Sequence, residues 1–207
     1  DSALPAGKTS KLLARDWIAG LALGPGGARR YHLYRPPGLV LARGETLPLL
    51  VMLHGCGQSG RDFAASTRMD RLAASGRFLV LYPEQDRIAN LQGCWNWFAR
   101  RNGKAEAEAA TLMAMVDQVL QLYPADGSRV ALAGLSAGAS MAALLATLTP
   151  ARWCAVAMHS GVAPGAAAST ASALAAMAGR RQPHLGVTGA QFSVDALPPL
   201  LVLQGSA

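Results

Sequence analysis

The sequence predicts an α/β fold: a mostly parallel sheet, opened by an antiparallel N-terminal hairpin and flanked by helices on both faces. Three observations predict it. Strand-like and helix-like segments alternate from about residue 48 onward, the pattern that builds parallel strands joined by crossover helices. Two strand-like segments, 16–23 and 29–35, flank Gly24-Pro25-Gly26-Gly27, a turn sequence suited to a hairpin. No internal repeat or linker divides residues 1–207, and one core can serve that length, since cores stop growing only beyond roughly 250–300 residues.

Taken in order after the hairpin, residues 48–53 are a short apolar run ending at His54-Gly55, the pattern of a buried strand. Residues 61–75 place apolar side chains at helical spacing among mixed charge, and Phe78–Tyr82 is a second apolar strand stopped by Pro83. Residues 104–122 give the clearest helix. Leu112, Met115, Val116, Val119, Leu120 and Tyr123 recur at three and four, while Glu106 and Glu108 sit near the N-terminus, where the helix dipole favours them. Pro124 and the Asp126-Gly127 turn end it. A strand follows at 129–133, a helix from Met141 to Leu148, a strand at 153–158, a weak helix at 170–178 and a last apolar run, Leu200–Leu203.

Composition narrows the function classes. Hydrophobic residues make up 51% and charged ones 15%, which excludes a highly charged disordered chain. Lys and Arg number 19 against 12 Asp and Glu, for a net +7. The basic residues are scattered (Arg29–Arg30, Arg100–Arg101, Arg180–Arg181), so they read as a solvated surface and nucleic acid is not the expected partner. No stretch reaches the ~18 apolar residues of a membrane span. The chain opens at Asp1 without a basic-then-apolar leader, so it is expected to be a processed or a trimmed chain whose export signal is already gone, from a secreted or periplasmic protein. Cys56, Cys94 and Cys154 match neither a zinc pattern nor a dense disulfide scaffold, and allow one bridge plus one free thiol at most.

The chemistry concentrates in two stretches. Gly134-Leu135-Ser136-Ala137-Gly138 lies where strand 129–133 gives way to a helix, the context in which a G-x-S-x-G pentapeptide presents a nucleophilic serine. A tight strand-to-helix turn leaves no room for side chains beside the serine, and the helix N-terminus favours the negative charge that develops there. His54-Gly55-Cys56-Gly57-Gln58 follows the strand at 48–53. In hydrolases with such a serine turn, this loop supplies one backbone N–H for the oxyanion and the residue after the nucleophile supplies the other. Cys56 and Ala137 are the predicted donors, with Gly57 a rival for the first. His54 precedes the serine and is expected to be structural, bonding a loop carbonyl.

These stretches, with Tyr-Pro-Glu-Gln (82–85), Cys-Trp-Asn-Trp-Phe (94–98) and Ala-Val-Ala-Met-His-Ser-Gly (155–161), resemble the polyhydroxybutyrate depolymerase-type esterase family of the α/β-hydrolases, which is similar to feruloyl and acetylxylan esterases. The resemblance covers roughly residues 29–207. It implies ester hydrolysis through an acyl-enzyme on Ser136, without metal or organic cofactor, on poly- or oligo-hydroxyalkanoate or related short-chain esters. A carbohydrate esterase is the alternative within enzymes, and a non-catalytic polymer-binding module the alternative outside them.

Trp95 and Trp97 either cap the core or form an aromatic wall along the substrate groove. Cys56 and Cys94 either bridge, pinning the Trp loop beside the oxyanion loop with Cys154 a buried free thiol, or all three thiols are reduced. The triad of this fold runs Ser, then acid, then His. After Ser136 the carboxylate is Asp195, and both His159 and His184 precede it, so nothing in the sequence fills that order. The family continues the stretch at Gln204-Gly205-Ser206 toward an acidic residue. The chain is therefore expected to stop short of its acid, its histidine and the last strand, and to be nearly inactive on a nitrophenyl ester beside a longer native protein.

Overall fold

The structure, a computed structural model, describes residues 16–177, 180 and 197–205. Among these residues seven strands form one sheet: β1 (Trp17–Gly24), β2 (Gly27–Tyr34), β3 (Leu47–Leu53), β4 (Leu79–Pro83), β5 (Ala125–Leu135), β6 (Ala155–His159) and β7 (Leu200–Leu203). Their spatial order is β1-β2-β4-β3-β5-β6-β7. The hairpin pairs antiparallel, as does β2 with β4, and every later pairing is parallel. The sheet is thus mostly parallel with an antiparallel opening, as the sequence predicts.

Alternation along β3 sends side chains to two different layers. Leu47, Leu49, Val51 and Leu53 join a large cluster with α3 (Lys104–Leu122) and α4 (Ala137–Leu148). Met52 turns the other way, into a smaller cluster with Phe63 and Ala64 of α1 (Gly60–Thr67) and Ala73 of α2 (Met69–Gly76). A fifth helix, α5, spans Thr170–Met177. Among the described residues no helix is long and apolar enough to cross a membrane.

The single helix expected over 61–75 is two. Arg68 takes a left-handed conformation (φ 53°), and its N–H closes α1 on Ala64 before α2 starts at Met69. Strand β5 is longer than expected because the Asp126-Gly127 turn sits inside it as a bulge. The register slips between Leu47 and Leu49, which pair with Ala125 and Val130, while Asp126 accepts hydrogen bonds from Ser128 and Arg129.

Two further expectations fail on burial. Arg29, read as surface charge, is 4% exposed and pairs with Glu108 at 3.1 Å. Cys154, expected to be buried, is an exposed free thiol. Trp153 packs into the core, so the next residue turns outward before β6 begins at Ala155.

Candidate active site

Ser136 is the single residue between β5 and α4, with φ 55° and ψ −119°. Positive φ costs a non-glycine residue of order 1–3 kcal/mol, and such strain persists only where the surroundings impose it. The surroundings here are specific. The Ser136 N–H donates to His159 O of β6 at 2.8 Å, and its carbonyl accepts from Ser140 N at 3.1 Å. A Cβ on Gly134 would run into the backbone of Gly138, and one on Gly138 would run into the backbone of Leu53 and His54. The flanking glycines therefore let the first turn of α4 close onto the end of β3. Among the described residues the Ser136 hydroxyl makes no hydrogen bond, nor do the N–H groups of Ala137, Cys56 and Gly57.

The loop after β3 is braced from several sides. His54 is fully buried. Its Nδ1 lies 2.7 Å from Gly55 O, and its Nε2 accepts the Gln85 N–H at 3.1 Å. Nδ1 therefore carries the proton and the ring is neutral; burial pushes its pKa below the ordinary histidine range. Gln58 Oε1 accepts the Gly55 N–H at 2.9 Å, closing the loop on itself.

A disulfide joins Cys56 to Cys94, so the bridged alternative holds and the Trp loop lies against the loop after β3. Trp95 donates its indole N–H to His54 O at 3.0 Å. Trp95 is 0% and Trp97 1% exposed. Both belong to the large core cluster, which is the core-capping alternative of the two.

The sequence reading missed a buried polar cluster behind these loops. Glu108 Oε1 accepts from Arg29 Nη2, from Gln85 Nε2 at 2.7 Å and from Asn96 Nδ2 at 3.1 Å; its Oε2 accepts the Asn96 N–H at 2.6 Å. Arg29 Nε also donates to Gln85 Oε1 at 3.0 Å, and Gln85 Nε2 donates to Cys94 O at 2.9 Å. A signal was present. Glu108 falls on the buried stripe of α3, three or four residues from Ala105 and Leu112, where a solvated carboxylate does not belong. Asp195 and His184, considered for the acid and base, lie outside the described residues. His159 is exposed, with Nδ1 3.0 Å from Ser160 Oγ.

This strand order, with a serine on a strained turn between a parallel strand and its helix, defines an α/β-hydrolase. The fold matches acetyl xylan esterase from Aspergillus awamori (TM-score 0.63, 24% identity, over 75% of this chain and 55% of that one). It also matches an S-formylglutathione hydrolase from Staphylococcus aureus (TM-score 0.62, 16% identity, 91% and 78%). Within that class, residues 29–204 match the family described as esterase PHB depolymerase, and the chain belongs to it. It is 32% identical over 143 residues to poly(3-hydroxyalkanoate) depolymerase C of Paucimonas lemoignei, covering 69% of this chain and 33% of that protein. It is 34% identical over 127 residues to feruloyl esterase B of Neurospora crassa, covering 60% and 42%. The chain thus spans less than half the length of these two relatives.

Proposed function

We propose that the protein is a serine carboxylic-ester hydrolase working through an acyl-enzyme on Ser136. The observation that carries this reading is the serine itself, held at positive φ beside amides that have no partner among the described residues. Ser136 Oγ attacks the ester carbonyl, and the N–H groups of Ala137 and Cys56, or Gly57 in its place, hold the oxyanion. Donors of this kind are worth about 2.7–4 kcal/mol each in the best-measured case. The α4 N-terminus adds its positive end. Collapse of the tetrahedral intermediate breaks the ester C–O bond and releases the alcohol, which takes up the proton drawn from the serine; water then attacks the acyl-enzyme, releasing the acid and returning a proton to Ser136 Oγ. A base must take the serine proton, since a hydroxyl near its free pKa is a poor nucleophile.

The substrate we infer is a poly- or oligo-hydroxyalkanoate or related short-chain ester, in keeping with the depolymerase relative. The similarity to feruloyl esterase B supports a carbohydrate ester as the second reading. The disulfide suits an oxidising compartment, so we place the protein outside the cytoplasm, secreted or periplasmic.

The test is fluorophosphonate labelling of the full-length protein, followed by a panel of nitrophenyl esters, hydroxybutyrate oligomers and feruloyl sugars. Label should map to the Ser136 peptide and vanish in Ser136→Ala. An unlabelled serine in the folded protein would instead mean a non-catalytic binding module.

A further inference from the structure

On the edge of the sheet that carries the serine, but over β4 and β2, lies a cavity of about 620 Å³. It opens between the β1–β2 hairpin, the segment after β4 and the start of α1, and its walls include Arg30, Arg61 and Arg87. None of the three guanidiniums forms an ion pair among the described residues; Arg61 rests over the Trp17 ring at 5.7 Å. The acidic side chains of the cavity are already engaged. Glu84 accepts the Gly60 N–H at 2.8 Å, and Asp86 accepts the Ile88 N–H at 2.8 Å. Among the described residues Arg30 and Arg87 are the uncommitted cations; with Arg61 the wall carries three guanidiniums against the carboxylates of Glu84 and Asp86, an excess of positive charge that suits an anion, and guanidinium is the group best matched to a carboxylate.

Its position relates it to the proposed chemistry. The cavity caps the carboxyl end of β4 and the adjoining part of β2, which are two and three strands away from β5 and its serine. At about 4.8 Å per strand, that is about 10–15 Å from the scissile bond. Gln85, in the cavity wall, is also the residue whose amide bonds His54, so the two places share a floor.

We propose that this cavity holds a carboxylate carried on the leaving-group side of the ester, making the enzyme selective for acid-bearing substrates. The inference rests on the esterase reading above. Two substrate classes supply such a group. In an oligo-hydroxyalkanoate the departing alcohol is a hydroxy acid chain that ends in a free carboxylate. In an acidic xylan the carboxylate belongs to a uronic acid near the esterified sugar.

The experiment uses the full-length protein and a ladder of short oligo(3-hydroxybutyrate) chains, each as free acid and as methyl ester. A second arm compares acetylated xylan before and after reduction of its uronic acids. The free acid should be preferred by about tenfold in kcat/KM at low salt, mostly through KM, once the chain is long enough to span the gap. The preference should shrink in high salt and fall toward parity in Arg30→Gln/Arg87→Gln. A preference seen in one arm alone identifies the source of the carboxylate. Equal kcat/KM for acid and capped forms in both arms overturns the inference, as does a preference that survives the double substitution. Calorimetric titration of the acid and its methyl ester into the Ser136→Ala protein reads the cavity without turnover. Tighter binding of the acid there supports the cavity even if no ester is hydrolysed, which would overturn the esterase reading alone; equal binding overturns the cavity.

Discussion

The turn at Ser136 and the loop at His54–Gln58 meet where Gly138 packs on the backbone of Leu53 and His54, yet they are built by different means. The serine turn is shaped mainly within five residues, with the His159 carbonyl and the backbone end of β3 as its outer contacts. Two glycines remove side chains that would collide, a strand ends, a helix begins, and one residue takes the positive φ between them. The loop after β3 has no such local shape. It is held from far along the chain, by Gln85 on His54, by Trp95 on the His54 carbonyl and by Cys94 through the disulfide. Behind these stands Glu108, fixed to Arg29 of the hairpin. A local device fails only when its own residues change; a remote one can be undone from any of its anchors.

The largest expected effect comes from the deepest anchor. Glu108→Ala leaves the Arg29 guanidinium buried without its carboxylate and strips Gln85 and Asn96 of their acceptor. Removing one partner of a buried pair costs about 3–5 kcal/mol, read as a fall in the denaturant midpoint. A loss under about 1 kcal/mol, the range of exposed pairs, would mean the loop does not depend on this cluster. Next is the covalent tie. Cys56 and Cys94 are 38 residues apart, so replacing both by Ser should cost about 3–4 kcal/mol through the freed unfolded chain. Melting the native protein with and without reductant checks the same quantity.

This contrast explains what the sequence could and could not carry. Ser136 and its glycines were readable because the constraint and the residues that answer it are neighbours. Helix α3 was readable to the residue, its apolar stripe being a local period. The Glu108 cluster joins positions 29, 85, 96 and 108; the apolar stripe of α3 marks Glu108 as buried, but nothing local to it names the arginine, glutamine and asparagine that meet it. Trp95 and Trp97 were ambiguous for a related reason: a polar-looking loop gives no sign that its indoles turn inward. The break at Arg68 was missed because left-handed geometry in an arginine has no compositional mark.

A smaller effect appears with pH. His54 donates from Nδ1 and accepts at Nε2, which only the neutral ring can do, and burial pushes its pKa down. As pH falls, the unfolded chain therefore takes up the proton first. Stability tied to neutral His54 is complete above about pH 6.5 and declines below it, by at most about 1.4 kcal/mol per pH unit. His32 is pushed the same way by burial and by Arg61, so the measurement is a difference. Denaturant titrations from neutral to acid should show a steeper acid limb in the native protein than in His54→Gln. Parallel limbs would remove His54 from the anchors of the loop.

The smallest effect falls on the serine itself and tests whether its turn is strained at all. Ser136→Ala keeps a Cβ and hence the cost of φ 55°. Ser136→Gly removes the Cβ, and glycine occupies positive φ freely. Relief of about 1–3 kcal/mol of strain is offset by about 0.5–1 kcal/mol for glycine's greater freedom when unfolded. Ser136→Gly should therefore be about 1 kcal/mol more stable than Ser136→Ala, a rise in Tm of about 2–4 °C at this chain length. Both variants lose the hydroxyl, so catalysis cannot separate them, and the difference reports backbone strain less glycine's entropy cost. A Ser136→Gly protein less stable than Ser136→Ala by about 0.5–1 kcal/mol, glycine's entropy cost alone, would mean that the neighbours of Ser136 relax to accept its conformation without cost. The turn would then depend on distant packing as the loop after β3 does, and the distinction between the two would fail.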